Sequence, residues 1–179
     1  MRGKLGFLLV GAAFAFGSVP IQCQRARPTQ EQTAFSAEDE GVKHPVPLPS
    51  EVLAILQRDN LVKNELKYGE NAPEKLPPAW FSASEIALGS SGEKDLIIAA
   101  EGPLAGGNVD TFWVFVQREH HYTLVLTIPA HDLVVKRPHT NGYRNLQASG
   151  ATAATVTTLS FRFNGRQYKE YSTTTEDIK

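Results

Sequence analysis

The sequence predicts a mainly β protein, α+β overall, with an antiparallel sheet or small sandwich built from two related β units and a short N-terminal helical region. Three observations predict it. From Ala79 onward the apolar residues fall in short runs or alternate, as strand residues do. Nine of the sixteen aromatic residues lie between 111 and 171, where they are most simply the core of a sheet system. The β region also echoes itself at a spacing of about fifty residues.

The elements follow in order. Arg2 and Lys4 precede the apolar run Leu5–Phe16. A basic start followed by about 7–15 apolar residues is the pattern of a secretory signal peptide, and the run is shorter than the roughly 20 residues of a membrane crossing. Small residues at Ala15 and Gly17 place cleavage near Gly17 or Ser18, and a leader is read over 1–22. Cys23 raises a lipoprotein anchor, but Pro20, Ile21 and Gln22 are a poor match for the small residues that signal wants. Residues 23–49 read as a flexible linker. The tract 24–41 has one aromatic, Phe35, and no period, and His44–Pro49 is a stiff proline-rich spacer.

Residues 50–78 read as a short helical region. Ser50 is placed to cap a helix and Glu51 suits its first turn. Val52, Leu53, Ile55 and Leu56, then Leu61, Val62 and Leu66, give a stripe over 50–67, as one interrupted helix or two short ones lying over the β domain. Gly69–Pro78 stops it. The β domain then spans 79–179. Strands are expected at 80–88, 96–100, 111–116, 122–128, 133–136, 143–148, 155–163 and 166–171. Residues 102–108 read as a mobile connecting loop, and Asn164-Gly165 as a type I′ hairpin turn, whose two central positions take positive φ.

The echo is specific. Asp95-Leu96 corresponds to Asn145-Leu146, fifty residues on, and Tyr122 corresponds to Tyr168, forty-six on. Phe112–Phe115 is matched by Leu159–Phe163. Two units are too few for a propeller or solenoid, which leaves a compact sheet or sandwich. The phrases Thr140–Leu146 and Phe163–Tyr168 resemble an NGYxDL…FxGxxY pattern of uncharacterised exported bacterial β-rich proteins. They also have a faint similarity to integrin-like FG-GAP repeats. The resemblance covers about half of the chain and implies an extracytoplasmic β module with no assigned activity. The calcium ligands of FG-GAP repeats need several close acids, whereas Asp95 has only Glu93 nearby and Asn145 has none.

Composition narrows the function classes. Eighteen basic and nineteen acidic residues give a formal charge of -1, against a general nucleic-acid binder. Loss of Arg2 and Lys4 leaves sixteen basic against nineteen acidic residues, near -3. One cysteine excludes an intrachain disulfide framework and multi-cysteine zinc sites. His120 and His121 sit at a hairpin tip and, as strand neighbours, would point to opposite faces. His131 and His139 would stand roughly 25 Å apart if extended at about 3.3 Å per residue. No Gly-x-Ser-x-Gly elbow occurs, and the glycine-rich 102–108 lacks the Lys-Ser/Thr of a phosphate loop. Glu85, Glu101, Asp110, Glu119 and Asp132 are the candidate carboxylates for a hydrolytic pair.

These readings lead to an exported, periplasmic or secreted, noncatalytic binding module with no cofactor and no metal. A protein inhibitor or immunity-like role belongs to that class. Its partner is expected to be an envelope or extracellular protein, with membrane association only through the leader or an anchor at Cys23. The candidate surface is Arg137, Tyr143, Arg144, Arg162, Arg166 and Tyr168, since arginine and tyrosine are favoured at binding hot spots. The alternatives are a small envelope hydrolase using carboxylate or histidine chemistry and a structural envelope protein.

Overall fold

A computed structural model describes residues 31–178. The leader over 1–22 and Cys23 lie outside the described residues. The elements are β1 (Ala34–Ser36), α1 (Ser50–Leu56), α2 (Asn60–Tyr68), β2 (Phe81–Ile86), β3 (Asp95–Ala100), β4 (Asp110–Arg118), β5 (His121–Ala130), β6 (Asp132–Thr140), β7 (Tyr143–Ala151), β8 (Thr155–Phe163) and β9 (Tyr168–Asp177). The strands form two antiparallel sheets, β2-β3-β4-β5 and β1-β6-β7-β8-β9. Each is a four-strand meander, and β1 is added to the edge of the second. Among the described residues, no helix is long and apolar enough to cross a membrane.

The two meanders are the two related units, and the correspondence extends to register. Leu96 stands opposite Phe115 and Ile98 opposite Trp113. Leu146 stands opposite Phe161 and Ala148 opposite Leu159, the same pairs displaced by 50 on one strand and 46 on the other. Gln117 faces Tyr122 as Phe163 faces Tyr168. Even the irregularity repeats. The register of β4 and β5 slips between Val114 and Phe115, and that of β8 and β9 between Ser160 and Phe161, again 46 residues on.

The sheets stack face to back. In the first, Leu96, Ile98, Ala100, Trp113 and Phe115 face the helices, packing on Val52, Leu56 and Val62. The other face of that sheet, with Ile97, Ala99, Phe112, Val114 and Val116, packs against Leu133, Val135, Leu146, Ala148 and Phe161 of the second. Residues equivalent to the helix-facing set thus face the first sheet. This explains β3, whose six residues are all buried and do not alternate, because both faces of the strand are covered. Helices α1 and α2 cover for the first sheet the face that the first sheet covers for the second.

The outer face of the second sheet is where the stack stops. Isoleucine, valine and phenylalanine at Ile97, Phe112, Val114 and Val116 are replaced at the equivalent positions by Gln147, Thr158, Ser160 and Arg162. Leu126 and Ile128 are replaced by Ser172 and Thr174. A terminal repeat needs a polar outer face of this kind.

Several local expectations are corrected. The tract 23–49 is not a free tether in its described part. Phe35 is 3% exposed, stands opposite Leu133 and adds a strand to the sheet edge, while Val42 is also buried and the Val46 N–H donates to the Ala83 carbonyl. Strand addition rests on backbone hydrogen bonds and one aromatic anchor, which composition does not report. Ser50 is not the cap of α1: Pro49 takes that position without a side-chain bond, whereas Asp59 caps α2 by accepting from the Leu61 N–H at 2.8 Å. The two-residue turns with positive φ at both positions are Asn141-Gly142 and Glu119-His120. At Asn164-Gly165 only the glycine has positive φ, and the Asn164 carboxamide instead accepts from the N–H groups of Arg166 and Gln167. The loop 102–108 is held rather than loose: Leu104 is buried and Asp110 accepts from the Gly106 N–H at 2.8 Å.

The face-to-back arrangement predicts an asymmetric exchange. Val114→Ser, which places the second unit's residue in the first, should cost about 2–4 kcal/mol through lost packing and a buried hydroxyl. The reverse change Ser160→Val should stay within about 0.5 kcal/mol, as for an ordinary surface substitution. Urea unfolding of both variants measures this, and equal losses would contradict the stacking order.

Candidate binding surface

Four of the six candidate residues lie in two places. Tyr143, Arg144 and Tyr168 converge at the junction between the sheets, and their polar groups are engaged within the molecule. The Arg144 guanidinium reaches Glu31 at 2.7 Å, the Val135 and Lys136 carbonyls at 3.3 and 3.1 Å, and the Ala87 carbonyl at 3.5 Å. Its side chain is 14% exposed. Tyr168 is 4% exposed, its hydroxyl donates to the Arg144 carbonyl at 2.8 Å, and burial pushes its pKa well up, so it stays a donor. Tyr143 packs on Phe163 with centroids 4.3 Å apart.

Arg118 was not singled out by the sequence, yet it ties this junction together. It leaves the end of β4, donates to the Tyr143 hydroxyl at 3.2 Å and the Gly165 carbonyl at 3.4 Å, and lies 5.5 Å from the ring centroids of both Tyr143 and Phe163. The first unit therefore holds the hairpin tips of the second through one guanidinium. Asp95 has a comparable role inside the first unit. Its carboxylate accepts from the N–H groups of Leu88, Gly89 and Gln117, while burial raises its pKa. Its counterpart Asn145 is also buried, but its Oδ1 has no partner among the described residues.

Arg162 belongs to the second place, the outer face of the second sheet. Its guanidinium stacks 3.8 Å from the centroid of Tyr171, which is 49% exposed. Tyr171 is the extra residue of the β9 bulge, since Ser160 pairs with Ser172 and Phe161 with Glu170. A bulge re-aims side chains, and here it puts the ring beside Arg162. Lys169 stands directly opposite Arg162, and Lys136 donates to the Gln147 carboxamide at 3.1 Å on the same face. Gln147 is opposite Ser160, which is opposite Ser172. Arg137 and Arg166 are exposed, on the irregular part of β6 and in the β8–β9 turn.

Lys169 and Tyr171 were hidden by the turn. A two-residue turn at Asn164-Gly165 would pair residue 162 with 167, whereas the connection found is four residues long, 164–167, and pairs Arg162 with Lys169.

A polar cluster closes the opposite end of the face. His131 Nδ1 lies 3.1 Å from Asp132, its Nε2 lies 3.4 Å from Glu38, and the Ser149 hydroxyl donates to Asp132 at 3.2 Å. The serine addresses the carboxylate, not the imidazole, and both ring nitrogens face acids, so no free base stands beside a nucleophile. His131 is held above its ordinary value, chiefly by its hydrogen bond to Asp132, with burial opposing. Asp132 is lowered: burial works against ionisation, but hydrogen bonds from Ser36, His131 and Ser149 outweigh it. His139 is distant in the strand register, opposite Arg144, and His121 lies 3.4 Å from Glu51. Among the described residues, no group of three or more His, Cys, Asp or Glu could hold a metal ion. Of the five candidate carboxylates, Glu85 pairs with Lys94 at 2.8 Å. Glu101 is raised first by burial and then by the nearby Asp110, whose own carboxylate is bound to the Gly106 N–H.

A cavity of about 570 Å³ runs beside β2, lined by residues including Glu31, His44, Ser84, Glu85 and Lys94. The chain at 42–46 already occupies part of that strand edge, through the Pro45–Ser84 bridge. The Ala87 N–H is taken by Glu31 at 2.6 Å.

Two outcomes follow. Arg144→Ala should lower stability by about 2–3 kcal/mol, because several charge-assisted bonds at a largely buried site are lost together. The same unfolding titration checks it. The His131 latch should depend on pH. Because its folded pKa is raised, its contribution is full below the unfolded value of 6.5 and fades as pH climbs through the folded value. Asp132, being lowered, contributes above its unfolded value of 3.8 and loses that as pH falls through its folded pKa. Hydrogen-exchange protection of the Ala37 amide, which donates to the His131 carbonyl at 2.7 Å, should therefore weaken on raising the pH. This loss should be absent in His131→Gln.

No family model matches the chain, and no curated protein or solved structure matches it.

Proposed function

We propose that the protein is a noncatalytic binding module that works outside the cytoplasm, and that it binds through the outer face of the second sheet. The observation that carries this reading is the Arg162–Tyr171 stack, a half-exposed ring under a guanidinium, on a face that no element covers among the described residues. Aromatic and arginine side chains supply contact area with few rotatable bonds, which suits a surface that must bind without reorganising. Export is supported by the basic-then-apolar start of the chain.

The side chains capable of acid–base work argue in the same direction. His131 is neutralised between two carboxylates, Glu85 is paired with a lysine, and Asp110 is committed to a backbone amide. These groups stabilise loops and corners of the fold.

The test is retention. Purified protein is immobilised and exposed to fractionated envelope material, and the bound macromolecules are identified and quantified. Arg162→Ala and Tyr171→Ala should each reduce retention at least fivefold with unchanged unfolding midpoints. Arg58→Ala, a substitution after α1 on the helical side of the molecule, should have no effect. Retention that survives both face variants would overturn the assignment of this surface.

A further inference from the structure

The outer face carries an electrostatic feature that binding in general does not explain. Lys136 on β6, Arg162 on β8 and Lys169 on β9 lie at one end of the same face. All three are exposed, and none is in a salt bridge among the described residues. Arg162 and Lys169 are direct cross-strand partners. Like charges placed opposite each other destabilise a sheet. The nearest acid in sequence, Glu170, stands opposite Phe161 and so lies on the other side of the sheet, where it accepts a hydrogen bond from Thr173. The acids of this face, Asp132 and Glu176, are at its far end. The cations are thus left without a counter-charge on a protein whose net charge is -1.

The rest of the patch narrows what would supply that charge. Beside the cations are an amide and hydroxyls, Gln147, Ser160 and Ser172, and the ring of Tyr171. These groups suit the hydroxyls and the apolar face of a sugar ring. From β6 to β9 the row crosses three strand spacings of about 4.8 Å, roughly 14 Å in all, so an extended ligand is accommodated without a pocket. A membrane surface fits less well: of the exposed large apolar side chains among the described residues, Tyr171 is the one that lies beside the cations. Duplex nucleic acid would need a longer basic footprint than three cations.

We infer that this end of the face binds a linear anionic saccharide, a chain bearing carboxylate or sulfate groups, laid across the strands from Lys136 to Lys169. The inference rests on the reading of this face as the binding surface. Tyr171 stacks on a sugar ring while Lys136, Arg162 and Lys169 each meet an acidic substituent.

The experiment is titration calorimetry of the purified protein with heparin fragments, polygalacturonate fragments, neutral dextran and duplex DNA of matched length. Binding to one or both anionic saccharides, tighter than to DNA and absent for dextran, is the expected result. Lys136→Gln combined with Lys169→Gln should weaken it at least tenfold and flatten its salt dependence. Tyr171→Ala should weaken it about fivefold with the salt dependence unchanged. Circular dichroism and the unfolding midpoint confirm that the variants fold, and these exposed positions should leave both unaltered. Binding to DNA as tight as to the saccharides would reduce the patch to a general polyanion surface and overturn the inference. Absence of saccharide binding would also overturn it. If envelope material is nevertheless retained through Tyr171, the binding-surface reading stands and only the ligand class falls. If retention is also indifferent to Tyr171 and Arg162, both fall.

Discussion

The apolar layer shared by the two sheets is the constraint from which the rest follows. Each meander presents one face to it, and neither could leave that face in water, since a single sheet with an uncovered apolar side is not independently stable. The layer is built from nonequivalent faces. Ile97, Phe112 and Val114 supply one side and Leu146, Ala148 and Phe161 the other. A unit repeated in this orientation always ends with one face uncovered at each end. The chain meets the two ends differently, with helices α1 and α2 over Leu96, Trp113 and Phe115 and with polar substitution over the outer surface of the second sheet.

Much of this was readable in the residues, because β structure is written in two-residue alternation and in turn chemistry. Phe161 and Phe163 alternate with Ser160 and Arg162, and the structure places the phenylalanines inside. The echo of Asp95-Leu96 in Asn145-Leu146 proved to be a register equivalence down to the bulge. What escaped was decided by backbone hydrogen bonding and by tertiary position. The strand at 34–36 carries no periodic signal; it exists because an edge of the second sheet offers unpaired backbone groups and a socket for Phe35. The turn at Asn141-Gly142 and the one at Asn164-Gly165 share a dipeptide but not a geometry, since the second asparagine uses its side chain to satisfy the turn.

The candidate surface was half legible for a related reason. Residue type points to arginine and tyrosine without distinguishing those that recognise another molecule from those that hold this one. Arg144 and Tyr168 are the second kind. An arginine held by four acceptors and a tyrosine buried against its carbonyl join the sheets and the segment beginning at Glu31. Arg118 belongs with them and was overlooked because it ends a strand whose centre, Phe112 to Val116, is plainly core. Arg162 differs from these only in what surrounds it, an open sheet face, which no single-residue argument supplies.

The comparison between the two units gives that surrounding a meaning. Position for position, the outer face of the second sheet is the inner face of the first with its apolar residues exchanged. Capping against further stacking requires only that the exchange be polar, and Gln147, Ser160, Ser172 and Thr174 satisfy it with small neutral groups. Solubility does not require that Val116 be replaced by Arg162, that Arg162 be set opposite Lys169, or that the bulge at Val125, buried in the first unit, present an exposed Tyr171 in the second. A neutral pair at 162 and 169 would end the stack equally well and avoid the repulsion between two cations. The part of the exchange that exceeds the demands of capping is confined to one end of one face, and it is there that a ligand's charge would be compensated.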